Sequence, residues 1–544
     1  MTANASSSLA ESPVELSLEL ASSPLLNPLA QAFLRGRDLD LLAPLRFLRP
    51  GGMPVAGARE APDRRSLARA LGAANRAYGN PNADRLAARL ADPATRVVIT
   101  GQQPGLFGGP LYAFSKMIAA SRWAEALEAH GHPAVALFWV ATEDHDWAEV
   151  SQAVVLAQDG PRSFDLGADP EPLAPVGMRS LGPRVGEVLA GMAEAVPGER
   201  WADWLGTLGR WYRPDARFGE SFCRVMAEML GERCPLLVDS MLPELKAAER
   251  PWLRRLVEGR AEADLALRAR EEEITGRGYS LQVTPQRGAS PLFLLHRGER
   301  RRIEWDGADR YTLRGRPDGG GRVEDLLALL DDNPGLVSPG VLARPAVQDA
   351  VFGTALELLG PGELAYMAQS SAVHAFLEVP AAEVVLRPHV VVFAAHQLEK
   401  LAESGLTLAD LHADPQELDR ALALRNGGDF VTPVRGEIDR LLGGLQGQAL
   451  AVDPNLERPL EKTREHVQRA LDTFGDKALA AAARRNEVAS RRAQQLREVC
   501  LPVGRLQERV VSAAHFYGRY GEDLTRAFWE QMRLDPTFLE VVRL

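Results

Sequence analysis

Two short stretches of this chain concentrate groups able to handle charge. The first, TGQQPGLFGGPLYAFSKM, runs from Thr100 to Met117. Glycines ahead of a helix leave backbone N–H groups open, and these favour an anion such as phosphate or carboxylate. Gln102 and Gln103 add neutral donors and acceptors. Lys116, on the second turn of the following helix, reaches back toward the same anion. The loop also reads as a tight turn whose glycines serve helix–sheet packing. Its spacing matches neither G-x-G-x-x-G nor a G-K-[ST] phosphate loop. The second stretch is EDHD, Glu143–Asp146. Carboxylates there could bind Mg2+, hold an amine or act as a general base. Acids on both sides of His145 are expected to favour its imidazolium. The alternative is a solvated loop with a helix N-cap among its acids.

The elements between them place the two stretches together. RVVIT is a short β-branched run, PLYAFSKMIAASRWAEALEAHG a long helix with Pro110 at its start and Gly131 at its end, and PAVALFWVA a second buried strand. Strand, loop, helix and strand in this order make a βαβ unit of a parallel sheet. Ligands of such sheets bind beyond the carboxyl ends of the strands, so both stretches point at one crevice.

At 544 residues the chain is long enough for two to four domains. Charged residues make up 25% and the net charge is −10, which argues against a surface that coats nucleic acid. Residues 1–95 read as the N-terminal helical part of the core. Residues 96–389 read as an α/β, Rossmann-like parallel-sheet core with connecting insertions, including an antiparallel β element at about 270–325 to which YSLQVTPQ contributes. GERCPLLVDS reads as another buried strand, and AVQDAVFGTALELLGPGELAYMAQSSAVHAFL as helical apart from its Gly-Pro-Gly break. Over 390–500 we expect an antiparallel helical arm. Its heptad-like seam is Leu460, Val467, Leu471, Phe474, Ala478, Ala481 and Val488, and HQLEKLAESGLTLADLHADPQELDRAL is the partner. Residues 501–544 then pack back on the core.

Cys223, Cys234 and Cys500 lack metal-ligand spacing and read as reduced, buried thiols. With no H-E-x-x-H and no paired Cys/His set, no tight metal site is expected. No G-x-S-x-G elbow marks a serine hydrolase. The N-terminus lacks the basic and apolar regions of a signal peptide, and no run approaches the roughly 18 to 20 apolar residues of a membrane span. The expected location is the cytoplasm. Arg344–Asp349 and Gly360–Gln369 set polar groups into apolar helices, where they line a pocket or satisfy one another. Gln507, Glu508 and Arg509 fall where the arm rejoins the body, with Arg509 placed to grip a phosphate or pair with an acid.

Taken together, TGQQPGLFGGPLYAFSKMIAA, FWVATEDHDWAEV, RPAVQDAVFGTALELLGPGELAYMAQ and LPVGRLQERV resemble, in order, the cysteine-adding enzymes of bacillithiol biosynthesis, the BshC family. That resemblance implies a core akin to class I aminoacyl-tRNA synthetases and nucleotidyltransferases, a coiled-coil arm and a homodimer. It implies a ligase joining the carboxyl of L-cysteine to the glucosamine amine of glucosaminyl-malate as an amide, through an activated acyl group. ATP or another nucleotide is implied, with Mg2+ as its companion. Lys116, Asp144, His145 and Asp146 are the implied catalytic residues. Lys116 would stabilise developing charge, His145 would accept the amine proton, and Asp144 or Asp146 would hold the amine. The implied substrate-binding residues are Thr100, Gln102, Gln103, Gly105, Tyr112, Glu143, Arg344, Gln348, Asp349, Glu363 and Tyr366. Glu143 would take the cysteine ammonium and Arg344 the malate carboxylates. Gln507 and Arg509 are the implied nucleotide contacts. A ligase for another amine, or a non-catalytic coiled-coil scaffold, fits the same residues.

Overall fold

The computed structural model describes residues 17–544 apart from 22, 56, 60, 62–63, 286–287, 381, 425–430 and 486, and omits the side chains of 317 and 482–487. The N-terminal segment read for a leader lies almost wholly outside these residues. The described residues form two compact units, Glu19–Val391 with Leu506–Leu544, and Val392–Arg505.

The first unit is built on six strands: β1 (Arg46–Phe47), β2 (Arg96–Gln102), β3 (Ala134–Val140), β4 (Leu236–Asp239), β5 (Thr354–Leu359) and β6 (Glu383–Leu386). They lie in the order β1-β6-β5-β2-β3-β4, every pair parallel. β3 is buried at every position, as a strand covered on both faces must be, and this explains its unbroken apolar run. Helix α1 (Leu111–Ala129) joins β2 to β3. Pro110 caps its start, and Gly131 (φ 82°) follows its end. From β2 the chain builds outward through β3 and β4 on one side, and β5 and β6 occupy the other. The switch point therefore lies between β2 and β5, and a crevice opens beyond their carboxyl ends. Thr100 Oγ1 donates to Leu358 O at 2.8 Å and ties the two strands together.

β5 corrects the helical reading of TALELL. Its residues favour helices, yet the segment is enclosed on both sides by the sheet, and burial overrides that weak preference. Helix α2 (Arg344–Phe352) enters β5, and α3 (Pro361–Leu377) leaves it after the Gly-Pro-Gly turn. The short β1, within the region read as helical, forms the sheet's edge. Between β4 and β5 stand two long helices, Pro243–Glu258 and Arg260–Gly276, and a five-stranded antiparallel sheet of Ala289–His296, Glu299–Asp306, Arg310–Leu313, Arg316–Arg322 and Val337–Pro339. YSLQVTPQ is not a strand over its described residues.

In the second unit Glu457–Arg485 packs against two helices: Pro415–Ala423, from the upstream segment expected, and Val431–Gly444, which runs antiparallel to it. Arg464 Nε reaches Asp439 Oδ1 at 2.6 Å, Arg435 Nε donates to Gln468 Oε1 at 2.7 Å, and Arg435 also pairs with Asp472. Pro433 and three glycines interrupt the apolar pattern of Val431–Gly444. The upstream helices also pack on Glu487–Cys500, where Ser490 Oγ meets Asp419 Oδ1 at 2.8 Å. Leu460, Val467, Leu471 and Ala478 are half-buried as the seam requires, but Phe474, Ala481 and Val488 are exposed. Gly475 takes the inner place beside Val431.

Candidate active site

The carboxyl ends of β2, β3 and β5 surround a cavity of about 580 Å3. β2 and its loop contribute Gln102 and Gln103, α1 contributes Tyr112 and Lys116, the loop after β3 contributes Asp144 and His145, and α3 contributes Glu363 and Tyr366. Gln102 and His145 thus share one cleft. Arg344 from α2, Arg387 after β6 and Arg509 complete the wall, and the antiparallel sheet adds Phe293, Arg300 and Arg302.

Lys116 is 1% exposed and makes three contacts through its ammonium: Gly101 O at 2.8 Å, Gln102 Oε1 at 3.2 Å and Glu363 Oε2 at 2.5 Å. Burial lowers its pKa, and Glu363 opposes that. Burial alone would raise the Glu363 carboxyl; Lys116 and the Gly360 N–H bring it below its ordinary value instead. The same carboxylate accepts Gly360 N at 2.5 Å and so caps α3.

Gln103 Nε2 donates to Asp144 Oδ2 at 2.8 Å, and Gln102 Nε2 to Glu149 Oε1 at 3.0 Å. Asp144 Oδ1 accepts His145 N at 2.7 Å and lies 3.7 Å from Arg300 Nη1. Arg300 stacks on Phe293, 4.0 Å from the ring centroid, while Ser338 Oγ and Pro339 O fix its remaining nitrogens at 3.0 and 2.9 Å. Burial and the facing Arg300 lower the pKa of His145 against the pull of Asp144. This corrects the expectation of a favoured imidazolium: at neutral pH the ring is a free base. Six cations face four carboxylates around the cavity (Lys116 and five arginines against Glu143, Asp144, Glu149 and Glu363), so an otherwise acidic chain carries a positive cleft. Gln103 Oε1 and the Trp139 indole N–H also line it and have no protein partner among the described residues. Buried polar atoms of this kind suit a ligand that brings both a donor and an acceptor.

Other expected residues lie elsewhere. Thr100 is spent on the β2–β5 tie. A Cβ on Gly105 would stand 2.7 Å from Gly109 Cα, so this glycine serves close packing within the loop and does not line the cavity. Asp146 caps the short helix Trp147–Val150 through Glu149 N at 3.1 Å. Glu143 reaches the cavity wall, but its carboxylate is taken by the buried Lys246, which also meets Glu249 Oε2 at 2.8 Å. It therefore offers no free charge to a cysteine ammonium. Gln348 and Asp349 are enclosed beneath the cavity, Gln348 holding Arg344 and Asp349 meeting His374 Nε2 at 3.2 Å. Gln507 is buried away from the cavity, whereas Arg509 lines it, 5.8 Å from the Tyr112 centroid.

Glu149, Phe293, Arg300, Arg302 and Arg387 were not foreseen as cavity residues. HRGERRRIEW advertised a basic hairpin but not its destination. Arg387 is gripped by Glu508 through two contacts, at 3.0 and 2.7 Å, and His389 Nδ1 meets the same carboxylate at 2.8 Å. Cys223, Cys234 and Cys500 are free and buried. Among the described residues no group of three or more His, Cys, Asp or Glu is arranged to hold a metal ion, and no helix is long and apolar enough to cross a membrane.

A Rossmann-like parallel sheet with its charged cleft at the switch point, joined to a helical coiled-coil unit, defines an α/β protein with a ligand site at the strand tips. Residues 54–388 match the family model of the bacillithiol biosynthesis BshC N-terminal Rossmann-like domain, and residues 390–536 that of the BshC C-terminal coiled-coil domain. Three relatives, each named "Putative cysteine ligase BshC", show the same likeness. The Solibacter usitatus protein is 31% identical, over 91% of this chain and 92% of its own. The Salinibacter ruber protein is 29% identical over 90% of each. A Thermus thermophilus protein is 32% identical over 80% of this chain and 86% of its own. The chain belongs to the BshC family of bacillithiol biosynthesis.

Proposed function

We propose that the chain joins the carboxyl of L-cysteine to the glucosamine amine of glucosaminyl-malate, forming an amide. The observation that carries this reading is the gathering of Lys116, Arg344 and a neutral His145 in one cleft at the tips of β2, β3 and β5. An amide forms from a free carboxylate only after its oxygen becomes a leaving group, and the nucleophilic amine must shed a proton. His145 accepts that proton, and Asp144, fixed by Gln103 and the His145 N–H, holds the amine. Arg344 takes a malate carboxylate. Lys116, immobilised by Gly101, Gln102 and Glu363, presents fixed positive charge where the acyl oxygen becomes negative.

The excess of cations fits a nucleoside triphosphate, which supplies acyl activation when bound, with or without Mg2+. Arg302 and Arg509 would hold its phosphates. The arm supports pairing of two copies, because Leu441, Val452, Phe474 and Val488 are 71%, 81%, 55% and 67% exposed on it. Purified protein incubated with cysteine and glucosaminyl-malate, with and without ATP and Mg2+, tests the reaction by thiol mass spectrometry. Cysteinylated product is expected, and serine or alanine should not replace cysteine. Equal incorporation of serine would favour a ligase of another amine conjugate.

A further inference from the structure

Among the described residues, two of the six cations around the cleft are hydrogen-bonded to a carboxylate. Glu363 holds Lys116 at 2.5 Å and Glu508 grips Arg387 at 2.7 and 3.0 Å, whereas Arg300 stands 3.7 Å from Asp144. Arg344 is held differently. Its Nη1 donates to Gln348 Oε1 at 2.6 Å and its Nη2 to the Tyr366 hydroxyl at 3.2 Å, both neutral groups. The nearest carboxylate oxygen, Glu357 Oε1, is 3.9 Å away, beyond hydrogen-bond reach. Gln348 stands between them, accepting from Arg344 and donating its Nε2 to Glu357 Oε1 at 3.2 Å.

We propose that Gln348 is a positioning residue, a neutral clamp that aims Arg344 into the cleft without cancelling its charge, so that the guanidinium binds a carboxylate of a dicarboxylate ligand. The ligand's identity as the malate moiety rests on the cysteine-ligase reading. Three features support the clamp. Gln348 follows Arg344 by one helical turn on α2, so the two side chains meet without strain. It is 1% exposed, and its amide supplies the acceptor that Arg344 needs and a donor to Glu357 at one position. Burial and the neighbouring Asp349 push the Glu357 carboxyl up to about 8, which weakens its hold on the charge of Arg344. A guanidinium keeps its proton at neutral pH.

Gln348→Glu separates a clamp from a merely structural residue. It keeps the shape and adds an ion pair to Arg344, so a structural role predicts an unchanged or higher thermal midpoint and unchanged ligand affinity. The clamp predicts the same folded protein with Kd for L-malate, by calorimetry on the full chain, raised roughly tenfold or more. KM for glucosaminyl-malate should rise in parallel while KM for cysteine stays. Tyr366→Phe removes the second neutral holder without adding charge, and should raise the malate Kd about threefold. It decides the matter if Gln348→Glu does not fold. Wild-type malate affinity in the variant that folds, or no measurable malate binding to the wild type, overturns the clamp. A wild type that ligates cysteine while Gln348→Glu keeps its KM refutes the clamp and leaves the ligase reading standing. Malate binding lost in Gln348→Glu, with no cysteinyl product from the wild type, does the reverse.

Discussion

Lys116 Nζ lies 2.5 Å from Glu363 Oε2, and this contact joins α1, which follows β2, to α3, which follows β5, across the switch point of the sheet. The carboxylate also caps α3 through Gly360. One pair therefore fixes both walls of the cleft and the orientation of its ammonium.

Lys116→Met should leave Glu363 in a confined site without its counter-charge. We expect a loss of about 3 kcal/mol in unfolding free energy by denaturant titration, since breaking a buried pair from one side costs more than removing both partners. Lys116→Met with Glu363→Gln should recover part of that stability but none of the ligase activity. Equal stability of the single and double variants would contradict the coupling.

For His145 the relevant quantity is the pH profile. Its pKa is lowered from 6.5, so the free-base form persists on acidification and kcat/KM should fall only below about pH 6.5 as the ring charges. His145→Gln should lower turnover roughly tenfold or more and flatten that acidic limb. A limb that survives the substitution assigns the proton to another group.

Glu508 governs acid stability. Burial opposes its ionisation, yet Arg387 and His389 hold the carboxyl well below its usual range. Between the folded and unfolded pKa values the unfolded chain binds the extra proton, so stability is present above about pH 4.5 and is lost as pH falls. His389, lowered by burial and by Arg387, adds a loss of the same sign beginning near pH 6.5. Thermal midpoints should therefore decline from pH 7 toward pH 4, and Glu508→Gln should weaken the lower part of that decline while lowering stability at pH 7. A midpoint indifferent to pH over this range would refute the assignment.

Gly101→Ala probes the close approach of β2 to β3. The added Cβ would stand 2.9 Å from both Trp139 Cβ and Trp139 O, and the backbone oxygen cannot swing aside. Destabilisation of about 1–3 kcal/mol is expected. Because Gly101 O holds Lys116, activity should fall with it; a variant of unchanged stability and turnover would show that the strands can separate freely.

Gln102, Gln103, Lys116, Asp144 and His145 could be read as neighbours because strand, loop, helix and strand bring two loops to the same sheet edge. The opposite wall was hidden for physical reasons. TALELL has the residues of a helix and becomes the central strand β5 only because sheet and helices enclose it. Arg300 and Phe293 arrive from an antiparallel sheet inserted far along the chain, and short-range periodicity carries no record of such a contact. Glu143 shows the converse limit: its place at the strand tip was legible, but Lys246, which neutralises it, comes from a distant helix. In the arm, the pattern marked the long helix and one packing partner, Pro415–Ala423, while Pro433 and its neighbouring glycines concealed the other, Val431–Gly444.

The most direct test supplies L-cysteine labelled with 18O in both carboxyl oxygens, together with glucosaminyl-malate, ATP and Mg2+, and follows the label by mass spectrometry. The account predicts a cysteinyl amide retaining one 18O, with the other leaving in AMP or phosphate, and little of either product from His145→Gln. Labelled cysteine recovered unchanged, with the glucosamine amine still free, would contradict it.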